Sequence, residues 1–312
     1  MLSPYSRLAH PALRLISVFL PALHPCHPLR DDHGLRSVSS DDRRSSSVRN
    51  DAKGRGQKEE NGARAADKPQ EQDMPNNYFK FKRFTVFQDG AAMKVGTDGV
   101  LLGAWFTLDG TENRVLDVGT GTGLIALMAA QRSPRALVDA VEIDRDAARQ
   151  ARQNVEISPW KERIAVFPAS LQEYAARTPC RYDRIVSNPP YFLSSLKPDD
   201  GGRLAARHAD ALPYEDLIRG ATALLKPGGT FAAIFPYREA SVFTVQAAVA
   251  GLYCVRRLNV YPVPGGPVKR VLLEFSFDRG PVDERTLVIG APESGGYTDD
   301  YRRLTADFYL YF

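Results

Sequence analysis

The chain has 312 residues, enough for one large domain or two modest ones. Its 43% hydrophobic and 25% charged residues are ordinary for a soluble globular protein. The net charge of +4 excludes a surface coated in cation, so any nucleic-acid contact has to come from local basic patches.

The first apolar run, Leu13 to Leu23, is broken by Arg14, Ser17 and Pro21. It falls short of the about 20 residues that span a bilayer. No small-residue cleavage site follows it, only His24, Pro25, Cys26, His27 and Pro28. Neither a membrane anchor nor a signal peptide is expected. Cys26, Cys180 and Cys254 are far apart, with neither a disulfide framework nor zinc-ligand spacing, and are expected to be free thiols. Four of the five histidines lie in residues 1–33 among prolines, and no metal site is expected there. Residues 31–73 are rich in Arg, Ser, Asp, Lys, Glu, Gln and Gly and nearly lack large apolar side chains. Such a stretch cannot bury enough surface to offset its ordering entropy. Residues 1–73 are therefore expected to be a disordered extension ahead of a domain over 74–312, with Met74 the expected native start.

From Phe79 onward, strand-like runs alternate with helical patterns. Val115–Val118 predicts a strand, and Gly123–Gln131 a helix with Leu124, Leu127 and Met128 on one side. Val138–Ile143 predicts a second strand, after which Asp144 caps a helix. Ile164–Phe167 and Arg184–Ser187 predict a third and a fourth. A helix over Tyr214–Leu225 is stopped by Pro227, Gly228 and Gly229. Thr230–Phe235 predicts the fifth strand, and Glu239–Ala250 the next helix. Two last strands, Tyr253–Tyr261 and Arg270–Phe277, have no clear helix between them and predict an antiparallel hairpin at one edge. The alternation predicts a mostly parallel α/β sheet.

The first of these strands runs into Gly119-Thr120-Gly121-Thr122-Gly123. A dinucleotide fingerprint needs its third glycine three residues after the second, where this chain has Leu124. The G-x-G-x-G form, with Asp117 two places earlier, resembles motif I of class I methyltransferases, which bind S-adenosylmethionine. Gly119, Gly121 and Gly123 are expected to border that cofactor. Glu142 ends the second strand 23 residues after Gly119. Its carboxylate can accept hydrogen bonds from both ribose hydroxyls. Asp117 either faces the methionine amino end or ties down the turn.

Asn188-Pro189-Pro190-Tyr191 follows the fourth strand directly. An exocyclic amine of adenine is a poor nucleophile because its lone pair is shared with the ring. The Asn188 side-chain oxygen and the Pro189 carbonyl can accept its two N–H groups and turn the lone pair toward a methyl sulfonium. Adjacent prolines stiffen the turn. Tyr191 offers a face for the base, and such stacking contributes about 1–3 kcal/mol. The attacking amine is neutral, so no strong general base is required.

With these motifs the chain resembles the bacterial methyltransferases that modify N6 of adenine 37, beside the anticodon, in one valine tRNA. The resemblance runs from about Tyr78 to Phe312. Its most specific stretch is Met93 to Trp105, and the ending from Tyr297 to Phe312 also carries it. It implies a class I, Rossmann-like fold: a seven-stranded, mostly parallel sheet with one antiparallel edge strand and helices on both faces. It also implies that Lys94, Thr97 and Asp98 lie close to the methionine end of the cofactor. One departure is Ser170, at a position where relatives usually carry an Asp that binds the cofactor adenine, so weaker cofactor binding is expected. The segment Leu193–Leu212 is the expected substrate loop and Arg207 its phosphate contact. Further basic patches for RNA are Lys80 to Arg83, Arg203 with Arg207 and His208, Arg256-Arg257, Lys269-Arg270 and Arg302-Arg303. The expected enzyme is a cytoplasmic monomer acting on the anticodon loop of a valine tRNA. Two alternatives are methylation of a protein glutamine, whose amide the same turn can hold, and an RNA-binding module without catalysis.

Overall fold

The computed structural model describes residues 77–89, 94–190 and 212–312, which belong to the compact unit Glu71–Phe312. The described chain opens on an antiparallel hairpin, β1 (Tyr78–Lys80) and β2 (Thr85–Phe87), followed by helix α1 (Thr97–Trp105). Then β3 (Arg114–Val118), α2 (Leu124–Arg132), β4 (Leu137–Glu142), α3 (Arg145–Glu156), β5 (Ile164–Pro168), α4 (Leu171–Arg177) and β6 (Tyr182–Ser187) alternate. After residue 211 come α5 (Tyr214–Leu224), β7 (Leu225–Pro236), α6 (Tyr237–Val249), β8 (Tyr253–Tyr261), β9 (Arg270–Ser276), β10 (Asp283–Val288) and α7 (Asp299–Thr305).

The main sheet has eight strands in the order β10-β8-β9-β7-β6-β3-β4-β5. Only β9 runs against the others, lying between β7 and β8 and pairing antiparallel with both. The predicted late hairpin is thus present, and the sheet is the predicted mostly parallel one. The expected count of seven is corrected to eight. β10, with sequence DERTLV and four exposed residues in a row, joins β8 at the edge. A polar edge strand has no apolar alternation by which to be recognised.

Period-two burial puts a core on each face of the sheet. Ala232 and Ile234 of β7 join the cluster that holds Leu101 of α1, Leu127 of α2 and Phe308. Phe231 and Phe235, on the other face, pack against Phe243 of α6, with ring centroids 6.0 and 4.4 Å apart. Helices therefore cover both faces. The Asp144 cap forms as its residue type predicts, the side chain accepting from the Asp146 and Ala147 N–H groups at 2.8 and 3.0 Å.

The free-thiol expectation holds for Cys254. Cys26 lies outside the described residues. Among the described residues no helix is long and apolar enough to cross a membrane.

Candidate active site

β3 and β6 are neighbours, yet the chain leaves β3 toward β4 and β5 on one side and returns through β6 to β7 on the other. The carboxyl ends of β3 and β6 are thus a topological switch point, where open α/β sheets form a ligand crevice. The two strands pair Val118↔Ser187. The Ser187 hydroxyl donates to the Val118 carbonyl at 2.9 Å and locks that register. Gly119 and Asn188 therefore leave adjacent strand ends, about 5 Å apart by the spacing of paired strands.

Gly119, Gly121 and Gly123 have φ of 69°, 57° and 83°, in the left-handed region that side chains resist. A Cβ added at Gly119 or Gly121 would meet nothing within 4 Å, so the turn borders open space on that side. Gly123 differs: its Cβ position is 3.4 Å from Ala151 Cβ, and it caps the start of α2. Two of the three predicted cofactor glycines border open space, while at the third, Gly123, a Cβ would be in ordinary contact with α3 and it is the positive φ that calls for glycine.

Glu142, at the end of β4, accepts from the Gly121 N–H at 2.8 Å and from the Asp144 N–H at 2.9 Å, one on each oxygen. Asp117 is fully buried, and one of its oxygens accepts from the Thr120 hydroxyl at 2.5 Å and the Ala126 N–H at 3.0 Å. Its side chain ties the turn to α2 and does not open onto the crevice. Burial pushes this carboxyl up to about 7 against the pull of those hydrogen bonds, with the Glu142 charge adding a smaller push in the same direction.

Lys94 and Thr97 are exposed at the start of α1. Asp98 accepts from Arg270 Nε, at the start of β9, at 2.7 Å. That ion pair pins α1 to the same end of the sheet as Gly119. Asn154 of α3, absent from the sequence-based candidates, is fully buried and clamps the neighbourhood. Its amide donates to the Phe87 and Thr122 carbonyls at 2.8 and 2.9 Å and accepts from the Phe87 N–H at 2.9 Å. Gln88 then accepts from the Val95 N–H at 2.8 Å. The glycine turn, the hairpin and the Lys94 segment are joined through these two amides.

Asn188 is half-buried, Pro189 buried and Pro190 exposed. Tyr191, Arg207 and nearly all of the expected substrate loop lie outside the described residues.

A family model described as methyltransferase small domain matches residues 95–241. A protein of Trichodesmium erythraeum named tRNA1(Val) (adenine(37)-N6)-methyltransferase is 48% identical over 239 residues, 76% of this chain and 99% of its own length. A protein of the same name from Bacteroides thetaiotaomicron is 48% identical over 240 residues with the same coverage. The chain belongs to the tRNA1(Val) (adenine(37)-N6)-methyltransferase family. The solved structure of a predicted O-methyltransferase from Agrobacterium tumefaciens superposes with a TM-score of 0.56 at 22% identity, covering 68% of this chain and 96% of that one. This likeness shows the class I methyltransferase fold.

Other residues singled out in the sequence have structural partners in this methyltransferase. Ser170 caps α4: its hydroxyl accepts from the Glu173 N–H at 3.2 Å, and the Glu173 carboxylate accepts from the Ser170 N–H at 3.0 Å. This reciprocal box was legible as Ser170-Leu171-Gln172-Glu173. Of the basic patches, Arg256 pairs with Glu274 at 2.5 Å and lies over the Trp105 ring. Arg257 pairs with Glu284 at 3.4 Å, and Arg303 with Asp300 at 3.1 Å. The Lys82 ammonium donates to the Ala306 and Phe312 carbonyls at 2.6 and 2.9 Å, tying the N-terminal hairpin to the chain end. Lys82, Arg256 and Arg257 thus join different elements of the scaffold, whereas Arg303 pairs within its own helix in solvent, and a count of charges along the chain does not reveal either.

Proposed function

We propose that this methyltransferase moves the methyl group of S-adenosylmethionine to N6 of adenine 37 in tRNA1(Val), in the cytoplasm. The observation that carries the reading is the position of Asn188 beside Gly119 across the β3–β6 switch point, with Ser187 locking the register. The two relatives at 48% identity carry that activity in their names.

The residues present fit the donor. Open space over Gly119 and Gly121 allows a ligand to approach the backbone. Each Glu142 oxygen already takes one backbone N–H, and a carboxylate has about four acceptor sites, so two ribose hydroxyls can still be held. Lys94, Thr97 and Asp98 serve the methionine end, with Asp98 oriented by Arg270. Ser170 stands at the adenine end, where a neutral hydroxyl already engaged in a helix cap binds less tightly than a carboxylate. When bound, S-adenosylmethionine supplies an electrophilic methyl on a sulfonium.

On the acceptor side, the Asn188 Oδ1 and the Pro189 carbonyl accept the two N–H groups of the adenine amine. The lone pair is then directed at the methyl, and the proton leaves after transfer. Tyr191, from its place in the motif, stacks on the base. The adenine has to leave its own stack to enter, which is easiest in a loop.

The test is incubation with labelled donor and either valine tRNA or a release factor carrying a glutamine substrate, with the nucleosides read by mass spectrometry. The expected product is N6-methyladenosine at position 37. In Asn188→Ala, kcat should fall by about 100-fold or more, the scale of losing one preorganised polar contact to a reacting group, while donor affinity holds. Label in the protein and none in the tRNA would favour glutamine methylation. Full activity in Asn188→Ala would remove the assigned role.

A further inference from the structure

The chemistry above leaves unused a cluster of exposed side chains on the rim of the crevice. Tyr237, the first residue of α6, is 49% exposed. Arg238 beside it is exposed, as is Lys269 at the end of the β8–β9 turn. The backbone holds these together: the Tyr237 N–H donates to the Lys269 carbonyl at 3.3 Å, and Pro236 pairs with Arg270 in the β7–β9 ladder. Among the described residues, no ion pair engages Arg238 or Lys269, in contrast to Arg256, Arg257 and Arg270. The intervening turn contains Pro262, Pro264 and Pro267, which stiffen it, and its Val263 is 43% exposed.

The register relates this cluster to the reacting turn. β6 pairs with β7 at Ser187↔Ala233. Asn188 is one residue past that level and Tyr237 four, a difference of about 10 Å at about 3.3 Å per residue. A half-exposed aromatic ring with two uncommitted cations, just outside a crevice that receives an extruded base, matches the chemistry of a single-stranded nucleic acid. Bases stack on the ring without regard to sequence, and cations take the phosphates.

We infer that Tyr237, Arg238 and Lys269 form a contact site for the RNA strand flanking the target adenine. Tyr237 stacks on a neighbouring base, and Arg238 and Lys269 hold adjacent phosphates. This inference rests on the reading that the substrate is a tRNA loop.

The experiment is steady-state methylation of full-length tRNA1(Val) by the full chain and by Tyr237→Ala, Tyr237→Phe and the double variant Arg238→Glu/Lys269→Glu. Donor affinity is measured in parallel by calorimetry. Tyr237→Ala should raise KM for tRNA about tenfold, within the range for loss of one base stack, with kcat and donor affinity little changed. Tyr237→Phe, which keeps the ring, should restore KM. The double variant should raise KM and reduce the slope of log affinity against log salt by about 2, one for each phosphate contact. Unchanged KM and salt slope in a chain that methylates tRNA would overturn the contact site and leave the proposed function standing. An equal loss in Tyr237→Phe and Tyr237→Ala would overturn the stacking assignment. A wild-type chain that methylates no tRNA would overturn the proposed function, and this inference with it.

Discussion

Asp117 stands two residues before Gly119 with no exposure to solvent, and one of its oxygens holds both Thr120 and the first turn of α2. Its pKa is raised from an ordinary 3.8 to about 7, so the folded state retains a proton that the unfolded chain has released. The stabilisation is therefore complete below the unfolded value of 3.8, and is lost as pH rises toward about 7. Asp117→Asn keeps an acceptor for both hydrogen bonds but cannot ionise. Its stability relative to wild type should climb between pH 4 and 7, by at most on the order of 4 kcal/mol. Thermal melts of both proteins across that range provide the check, and parallel curves would refute it. The positive φ of Gly119 and Gly121 was legible because it is a property of the residue type and its local turn. The complete burial of Asp117 was not legible, because the strands on either side of it, β4 and β6, come from other segments.

At the level of elements, two glycines mark close helix contacts of different hardness. A Cβ at Gly220 of α5 would lie 2.4 Å from Leu171 Cδ2 and 2.7 Å from its Cγ, at the start of α4. A Cβ at Gly103 of α1 would lie 2.5 Å from Met128 Sδ on α2. Leucine is branched at the contact and α4 is held by its capping box, whereas methionine is unbranched and can turn aside. Alanine gains about 0.5–1 kcal/mol over glycine in a helix, and overpacking a dense core costs about 1–3 kcal/mol. Gly220→Ala should therefore be net destabilising by about 1 kcal/mol, and Gly103→Ala nearly neutral. Urea unfolding measures both, and equal midpoints for the two variants would contradict the assignment. Helices α2, α3, α5 and α6 were legible from apolar spacing, caps and stop signals, whereas the short α1, α4 and α7 were not. The end of α5 came out at Leu224, with β7 beginning ahead of Pro227, because pairing of Leu225 with Tyr182 draws that segment into the sheet.

Across the whole molecule, a buried carboxylate joins parts that are distant in the chain. Glu274 of β9 accepts from the Thr107 N–H and hydroxyl at 3.3 and 2.8 Å, from the Thr230 hydroxyl at 2.7 Å and from Arg256 at 2.5 Å. It thereby ties the end of α1 to β7, β8 and β9. Glu274→Ala removes the acceptor from all three partners at once. The expected loss is about 3 kcal/mol, or a fall in Tm of roughly 6–12 °C for a domain of this size. A fall smaller than about 2 °C in calorimetry would show that the network contributes little.

The strand–glycine–helix turn and the Asn188-Pro189-Pro190 turn could be read directly, because each is a short run whose residue types dictate its own backbone. The order of elements followed from apolar runs for the same reason. Apart from the β8–β9 hairpin, which strands became neighbours could not be read that way. The place of β9 between β7 and β8 and the eighth strand β10 were set by pairing between segments far apart. The same holds for the contact that Asn154 makes 67 residues back to Phe87, and for the 172-residue reach of Arg270 to Asp98. Local backbone preference acts over a few residues, whereas burial and ion pairing depend on what the folded chain brings alongside.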